Sequence, residues 1–385
     1  LEALAAAPDD IFKGFNPGVA AILAEQTGDL DAARAAHQLS VGSFAGPSGR
    51  EAYGAFLERS GDADAARNFY EILERDRGAA RRTARAGLQR LDRKSPSKAY
   101  ASVSAVEGAA IALYNFSGNT LEQSAGERAR AAEAGFKVGE PQFTLPLVLA
   151  QLAIYLDPDF APARQLAASI LNVYANYEAA REIVSAIPPS SPYYEQAQIE
   201  IAASLAAEER VGEAIKLMRK AARVDRSSEE MRLTLAGLYA GEDRHAEAVA
   251  AASQAIDLLK PEPPEDAWRF YIARAASLIE MKRWPDAEAD LKRAVDIAPE
   301  EPTTLNYLGY SWAERGQNLD EAFKLIEKAV ALAPNSGAII DSLGWAHYQL
   351  GRFDEALPHL EQAASLEPAD PTITDHLGDV YARLG

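Results

Sequence analysis

The sequence of 385 residues contains no cysteine, and this absence excludes several kinds of chemistry at once. Without a thiol the chain can form no disulfide, thiolate zinc site, cysteine-held iron–sulfur cluster or cysteine nucleophile. The absence does not identify a compartment, because chains without cysteine occur in the cytosol and in the periplasm alike.

The sequence also lacks long apolar runs and an excess of positive charge. The longest apolar candidate, Leu145 to Leu156, is shorter than the roughly 18 residues of a membrane span and contains Pro146 and Gln151. The 39 Lys and Arg residues face 57 Asp and Glu residues, and the net charge of −18 argues against broad nucleic-acid binding. The chain begins at Leu1 without an initiator Met, so we expect a trimmed form in which a missing signal or lipid anchor is not evidence against either.

Motifs of catalysis are absent as well. The sequence has no Gly-rich phosphate loop, no Gly-x-Ser-x-Gly elbow and no His-Glu-x-x-His pair. Among the five histidines, His347 and His359 fall on the two helices of one predicted hairpin and are expected to be neighbours, with packing or surface roles favoured over a metal pair. The sequence therefore predicts no enzyme, no cofactor and no metal site.

The sequence does contain a repeat of small residues. Gly344, Ala356, Ala363 and Pro368 are spaced 12, 7 and 5 residues apart. Two further units follow this spacing, one of them with an extra residue in the turn: Ala275, Ala287, Ala294 and Pro299, then Gly309, Ala322, Ala329 and Pro334. The spacing is typical of two helices that touch at small residues and are joined by a turn such as that at Gly351, with a Pro ending the second helix. Because one unit cannot bury a core alone, the units are expected to stack into a solenoid.

This pattern resembles the tetratricopeptide repeat (TPR) family. The match is close in Tyr307-Leu-Gly-Tyr310 with Asp320-Glu-Ala322, and in Ser342-Leu-Gly-Trp345 with Asp354-Glu-Ala356. The run from Leu305 to Ala313 is similar to proteobacterial envelope proteins of this family, periplasmic or lipid-anchored. The resemblance implies an all-α, right-handed α-solenoid of about nine TPR-like helical hairpins. It also implies a location in the periplasm or at the outer membrane, with the cytoplasm as the alternative.

We predict three segments along the chain. Residues 1–98 form TPR-like hairpins plus a basic helix, residues 99–159 form a hairpin with a long insertion at about 115–143, and residues 160–385 form a TPR superhelix truncated at its C-terminus. The insertion is expected to hold a short helix around Leu121 to Ala134 between helices at Ser102–Tyr114 and Thr144–Leu156. Residues 75–98 carry nine basic and two acidic side chains, which we interpret as a solvated face that pairs with the acidic remainder.

The resemblance also indicates where a partner would bind, because in this family the first helix of each hairpin lines the concave face. Facing positions lie three residues before the small residue and one and four residues after it. At the C-terminal end the predicted groove residues are Asn306, Tyr310, Asp341, Trp345, Tyr348, Asp375 and Asp379. Asn can pair with a peptide backbone as donor and acceptor, and Tyr and Trp are efficient anchors. Packing between units is the competing interpretation.

Upstream, the same positions become apolar. They form a strip with Ile199, Leu233, Ile272 and Ile279, on a face expected to be open. Such a strip is typical of a partner surface. Coverage of the strip by the chain itself, through the insertion or the N-terminal hairpins, is the slightly favoured alternative.

Together these features predict a non-catalytic scaffold or adaptor that binds a protein or peptide through the concave groove, in bacterial envelope maintenance. The partner would be an envelope protease or assembly factor, with no nucleic acid and with membrane contact only through an anchor outside this sequence. Because the groove positions are neutral to acidic, a neutral or basic extended segment is favoured over a free carboxylate. Two alternatives stay open: a structural self-assembly module that forms homo-oligomers, and a carrier of an apolar ligand or lipid.

Overall fold

The computed structural model describes residues 16–41, 46–76, 78–133, 143–259 and 263–385. Backbone contacts divide the chain into two compact units, unit 1 (Leu1–Arg226) and unit 2 (Ser227–Gly385). Every regular element in the described residues is helical. The three segments 1–98, 99–159 and 160–385 stay a prediction.

Unit 1 consists of antiparallel helical hairpins that pack in chain order. Five hairpins and the single helix α5 are described. Their bounds are α1 (Asn16–Gln26), α2 (Leu30–Val41), α3 (Gly46–Arg59), α4 (Ala63–Leu73), α5 (Gly78–Asp92), α6 (Ala105–Glu133), α7 (Thr144–Leu156), α8 (Ala161–Val173), α9 (Tyr177–Ser185), α10 (Tyr194–Ala207) and α11 (Val211–Val224).

Unit 2 repeats the arrangement with four hairpins and a last single helix. Its α-helices are α12 (Glu229–Ala240), α13 (His245–Ile256), α14 (Trp268–Glu280), α15 (Trp284–Ile297), α16 (Pro302–Glu314), α17 (Leu319–Leu332), α18 (Gly337–Gln349), α19 (Phe353–Leu366) and α20 (Pro371–Leu384). The described residues thus contain nine hairpins, which confirms the predicted all-α fold of about nine.

The small residues of the repeat lie where the two helices of a hairpin touch. A Cβ atom added to Gly344 would be 2.6 Å from Leu360 Cγ, and one added to Gly309 would be 2.7 Å from Ile326 Cγ1. Both distances are shorter than an ordinary carbon–carbon contact of about 3.5–4.0 Å. Gly351 has φ of 72° in the turn between α18 and α19, a backbone conformation that suits glycine. The predicted roles of these glycines are confirmed.

The predicted insertion differs from the structure. Residues 115–133 do not form a separate loop and short helix but continue α6, which is 29 residues long. The start of this part of α6 is held by packing, since Asn115, Ser117 and Asn119 are buried and Ser117 Oγ donates a hydrogen bond of 2.7 Å to the Pro146 carbonyl. Residues 134–142 of the insertion, like residues 1–15 of the predicted N-terminal hairpins, lie outside the described residues.

The basic stretch forms α5, whose arginines are largely paired. Arg90 binds Glu58 with a shortest distance of 2.7 Å, Arg85 lies 3.6 Å from Glu74, and Arg82 pairs with Asp225. These pairs support the interpretation of a basic helix that is neutralised by the acidic remainder. No helix of the described residues is long and apolar enough to cross a membrane.

Candidate functional site

The predicted groove residues all lie on the first helices of three successive hairpin positions in unit 2. Helix α16 packs against α18, and α18 packs against α20. Each helix therefore contributes side chains to one shared face, which we call the α16/α18/α20 face. Asn306 and Tyr310 come from α16, Asp341, Trp345 and Tyr348 from α18, and Asp375 and Asp379 from α20.

An aromatic stack lies at the centre of this face. The Trp345 ring is sandwiched between Tyr348, with centroids 4.6 Å apart and planes 8° apart, and His376, with centroids 3.9 Å apart and planes 13° apart. Tyr348 and Trp345 are three residues apart on one helix, so that their side chains project from the same side. The stack ties α18 to α20 and presents Trp345 as a half-buried platform.

His376 is a site residue that the sequence reasoning missed. Its Nδ1 atom lies 2.9 Å from Asp341 Oδ2 and 3.1 Å from Oδ1. The feature of the sequence that could have identified His376 is its position 35 residues after Asp341, about one repeat along the chain. Asp341 itself was predicted to face an open groove, but only 5% of it is exposed. The residue three positions before the small residue is directed at the next first helix, which covers it.

Two polar atoms on this face lack hydrogen-bond partners among the described residues. Asn306 Oδ1 and Trp345 Nε1 are both buried and unpaired. The other tryptophan indoles with recorded bonds differ, since Trp312 Nε1 donates to Glu288 Oε1 at 2.9 Å and Trp284 Nε1 donates to Gln317 Oε1 at 2.9 Å. A buried polar group without a partner costs about 1–3 kcal/mol. The face therefore holds one unused acceptor and one unused donor, which a bound group could pair with after a small side-chain rotation.

The edges of the face differ in charge. Burial, helped by the negative charges of Glu314 and Asp341, raises the pKa of Tyr310 to about 12, so its phenol stays protonated at neutral pH. Asp375 and Asp379 are exposed on α20. Arg383 donates from Nε to Tyr348 Oη at 3.2 Å. The α20 edge thus has two exposed carboxylates and one arginine engaged with the aromatic stack.

The apolar strip is only partly as predicted. Ile272 is not on an open face, since it is 7% exposed and belongs to a core formed with neighbouring hairpins, including Leu291 and Trp312. Ile199, Leu233 and Ile279 are half-buried. Packing between successive hairpins accounts for the burial of Ile272. Large apolar side chains are exposed elsewhere, on one side of α7, at Leu145, Val148, Leu152 and Tyr155.

The two histidines predicted to be neighbours do lie together. The rings of His347 and His359 stack with centroids 5.5 Å apart, and burial lowers the pKa of both. In the described residues no group of three or more His, Asp or Glu side chains is arranged to hold a metal ion. The two rings pack against each other.

Comparison with known proteins agrees with the repeat pattern. Residues 272–337 match the family described as tetratricopeptide repeat, and residues 344–385 match the family described as TPR repeat. Over 138 residues the chain is 32% identical to the TPR repeat-containing protein PA4667 of Pseudomonas aeruginosa. That match covers 27% of this chain and 23% of the relative, so the chain spans about a quarter of the relative's length.

Three solved structures are similar to this chain over different shares of its length. The structure of MamA is 20% identical with a TM-score of 0.37, covering 44% of this chain and 95% of MamA. YrrB, described as a TPR protein with an unusual peptide-binding site, is 18% identical with a TM-score of 0.36, covering 48% of this chain and 91% of its own. The Cut9–Hcn1 hetero-tetramer of the APC/C is 13% identical with a TM-score of 0.48, and the match covers 99% of this chain and 92% of the matched chain.

The spacing of the small residues, the hairpins that they join and the two matched segments agree with one another. TPR repeats point to a protein–protein interaction scaffold, and proteins of this family are typically non-catalytic and bind protein or peptide partners. Residues 272–337 and 344–385 therefore match the tetratricopeptide-repeat family.

Proposed function

We propose that this chain is a non-catalytic adaptor that holds an extended peptide segment of a partner protein on the α16/α18/α20 face. The observation that carries the proposal is the pair of unpartnered atoms, Asn306 Oδ1 and Trp345 Nε1, beside the stack of Tyr348, Trp345 and His376. An extended peptide backbone exposes N–H donors and C=O acceptors in alternation. One N–H can donate to Asn306 Oδ1, and one C=O can accept from Trp345 Nε1.

The aromatic platform supplies the apolar part of the recognition. Trp and Tyr bury large areas at low cost in conformational entropy and dominate many interfaces. Trp345 is already fixed by its two stacking partners, so little further ordering is needed when a peptide side chain packs on it.

The charges of the face favour a neutral or basic segment. Asp375 and Asp379 are exposed on the α20 edge, and Arg383 lies over the rings of Tyr348 and Phe353 at 6.0 and 5.9 Å. A basic partner segment gains from the carboxylates at the rim, mainly in its association rate.

The proposal includes a location in the bacterial envelope, in the periplasm or at the outer membrane. Its support is the resemblance of the run from Leu305 to Ala313 to envelope proteins of this family. Fractionation of the native cells, followed by immunoblotting of the full-length protein, tests this part separately. Recovery only in the cytosolic fraction would remove the envelope location and leave the peptide-binding proposal unaffected.

Peptide binding is best tested with substitutions at the two residues whose buried polar atoms lack partners, Asn306 and Trp345. Partners are captured from a native envelope extract, identified by mass spectrometry, and reduced to peptides whose dissociation constants are measured by fluorescence anisotropy. Trp345→Phe and Asn306→Leu should each weaken binding about 2- to 10-fold, as expected for one lost hydrogen bond. Asn306→Leu should not lower the stability of the free protein, because its Oδ1 atom is buried without a partner, whereas Trp345→Phe should lower it because part of the stacked ring is lost.

Trp312→Phe is the matched control, with the opposite pattern to that of Asn306→Leu. It removes an indole N–H that already donates to Glu288, so stability should fall while peptide affinity stays unchanged. If Trp345→Phe and Asn306→Leu bind the captured peptides as tightly as the wild-type protein, the α16/α18/α20 face is not the binding site. If the chain captures only itself, the self-assembly alternative replaces the adaptor.

A further inference from the structure

Unit 1 contains a cavity that the peptide-binding face does not use. Its volume is about 270 Å³, and it lies where α3, the segment before α6, the α7–α8 turn and the start of α10 meet. Four of its lining residues are acidic, Glu51, Glu107, Asp157 and Asp159, and none is basic. A ligand in this cavity would therefore meet a negative potential.

A buried phenol in the cavity wall lacks a partner. Tyr193 is 4% exposed, and its Oη atom has no hydrogen-bond partner among the described residues. Burial raises the pKa of Tyr193 well above its ordinary value, and electrostatic interactions with the nearby Tyr114, Glu51 and Tyr100 side chains raise it further. A neutral phenol can both donate and accept, so Tyr193 is left with an unused oxygen lone pair.

The carboxyl of Glu51 is only weakly compensated. Tyr100 Oη lies 3.4 Å from Glu51 Oε2, and burial raises the pKa of Glu51 to about 7. The charge of Arg90 acts on Glu51, but its guanidinium is engaged by Glu58 through three contacts of 2.7–3.2 Å. At the mouth, burial and the charges of Glu107 and Asp159 raise the pKa of Asp157 as well. The cavity is thus lined by acidic side chains, and none of its described lining residues is basic.

The wall that carries Tyr100 is fixed in place. Ser97 N donates to Glu58 Oε2 at 2.8 Å, and Arg59 Nη1 donates to the Ala99 carbonyl at 2.6 Å. Tyr100 itself has φ of 59°, an unusual value for a bulky residue, which these neighbouring bonds help to hold. The part of the cavity wall at Ala99 and Tyr100 is therefore fixed without a ligand, because the hydrogen bonds at Ser97 and Ala99 hold the segment that leads to it.

From these observations we propose that the cavity of unit 1 binds a small organic cation through its ammonium group, which donates to the Glu51 carboxylate and to Tyr193 Oη. A metal ion fits less well, since no three acidic or histidine side chains of the described residues are close enough to ligate one. The volume is slightly below that of typical ligand pockets, about 300–1,000 Å³, and suits a primary amine or a single lysine side chain.

The test uses the full chain and matched probes. Dissociation constants for n-butylammonium, n-butanol and Nα-acetyl-lysine methylamide are measured by ligand-observed NMR titration at pH 7.5. We expect n-butylammonium to bind and n-butanol, which has the same carbon chain without the charge, to bind at least about tenfold more weakly. Binding of the lysine derivative would assign the ammonium to a protein side chain, and its failure beside n-butylammonium binding would assign it to a free amine.

Two substitutions locate the binding. Glu51→Gln should weaken n-butylammonium binding about 10- to 100-fold, the effect of losing a charge-assisted hydrogen bond. Tyr193→Phe should weaken it about 2- to 10-fold and leave the thermal stability of the free protein unchanged or higher, because the lost hydroxyl has no partner. Tyr194→Phe alters the next residue, which does not line the cavity, and should change neither property.

Three results would overturn the proposal. They are no binding of either ammonium probe up to 10 mM, equal binding of n-butanol, and unchanged n-butylammonium affinity in Glu51→Gln. A fall in stability on Tyr193→Phe would show that the hydroxyl is structurally bonded, which also contradicts its role as an unused ligand contact.

Discussion

Replacing glycine by alanine should have opposite effects on stability at Gly309 and at Gly237. The comparison tests the prediction that the repeat requires a small residue where two helices touch. Gly309 lies in α16 against the second helix of its hairpin, where an added Cβ would be 2.7 Å from Ile326 Cγ1 and 2.9 Å from the Ala322 carbonyl oxygen. Gly237 lies in α12, and an added Cβ there would meet nothing within 4 Å. Alanine is the better helix former at both positions by up to about 1 kcal/mol.

The magnitudes follow from these contacts. At Gly309 the new methyl group overlaps a β-branched side chain and a backbone carbonyl, which can move only if the two helices separate. Overpacking of this kind costs about 1–3 kcal/mol, so after the gain in helix propensity Gly309→Ala should destabilise by about 1–2 kcal/mol. Gly237→Ala should stabilise by about 0.5 kcal/mol, since Gly237 is near the end of its helix, where the gain is smaller.

The assay is urea unfolding followed by far-ultraviolet circular dichroism, with both variants and the wild-type protein measured together. The difference between the two variants, about 2 kcal/mol, is compared only if all three proteins show the same slope, because repeat proteins can unfold in parts. Equal stabilities of the two variants, or a stabilised Gly309→Ala, would refute the argument that close helix contact requires the glycine at this repeat position.

Three further predictions concern buried polar groups. Because the folded-state pKa of Glu51, about 7, exceeds its ordinary value, its contribution to stability is complete below about pH 4.5 and is lost as the pH rises through 7. Glu51→Gln should therefore gain on the order of 2 kcal/mol relative to wild type between pH 5 and pH 8 in urea unfolding. The pKa values of His347 and His359 are lowered, so the stability from their neutral stack should fall as the pH decreases below about 6.5, and thermal melts of His359→Asn should show a smaller fall. Tyr70 donates to the buried carboxylate of Glu58 at 2.7 Å, and Tyr70→Phe should cost about 1–3 kcal/mol in urea unfolding, whereas an unchanged stability would show that Arg90 and the Ser97 N–H satisfy Glu58 without it.

The sequence and the structure agree most closely where local spacing decides the outcome. Helix α7 has the predicted bounds, Thr144–Leu156, and the glycines at 309, 344 and 351 have the predicted roles. The continuous helix α6 was not predicted, because its Gly, Ser and Glu content is typical of a loop. At Asn115 to Asn119, packing and the hydrogen bond to Pro146 override that weak local preference, as tertiary contacts often do.

In the candidate site, too, sequence spacing and tertiary packing decided different features. The spacing by itself determined the repeat register and thus which seven residues hold equivalent positions on the first helices, and the family resemblance predicted that these positions line a groove. Whether a residue on that face is open or covered depends on the neighbouring helix. For this reason only the tertiary structure decided that Asp341 pairs with His376, that Ile272 is part of the core, and that Asn306 and Trp345 keep polar atoms without partners. The cavity of unit 1 was equally beyond the sequence, because Glu51, Asp157 and Tyr193 are separated by more than 30 residues each and meet only through the packing of distant segments.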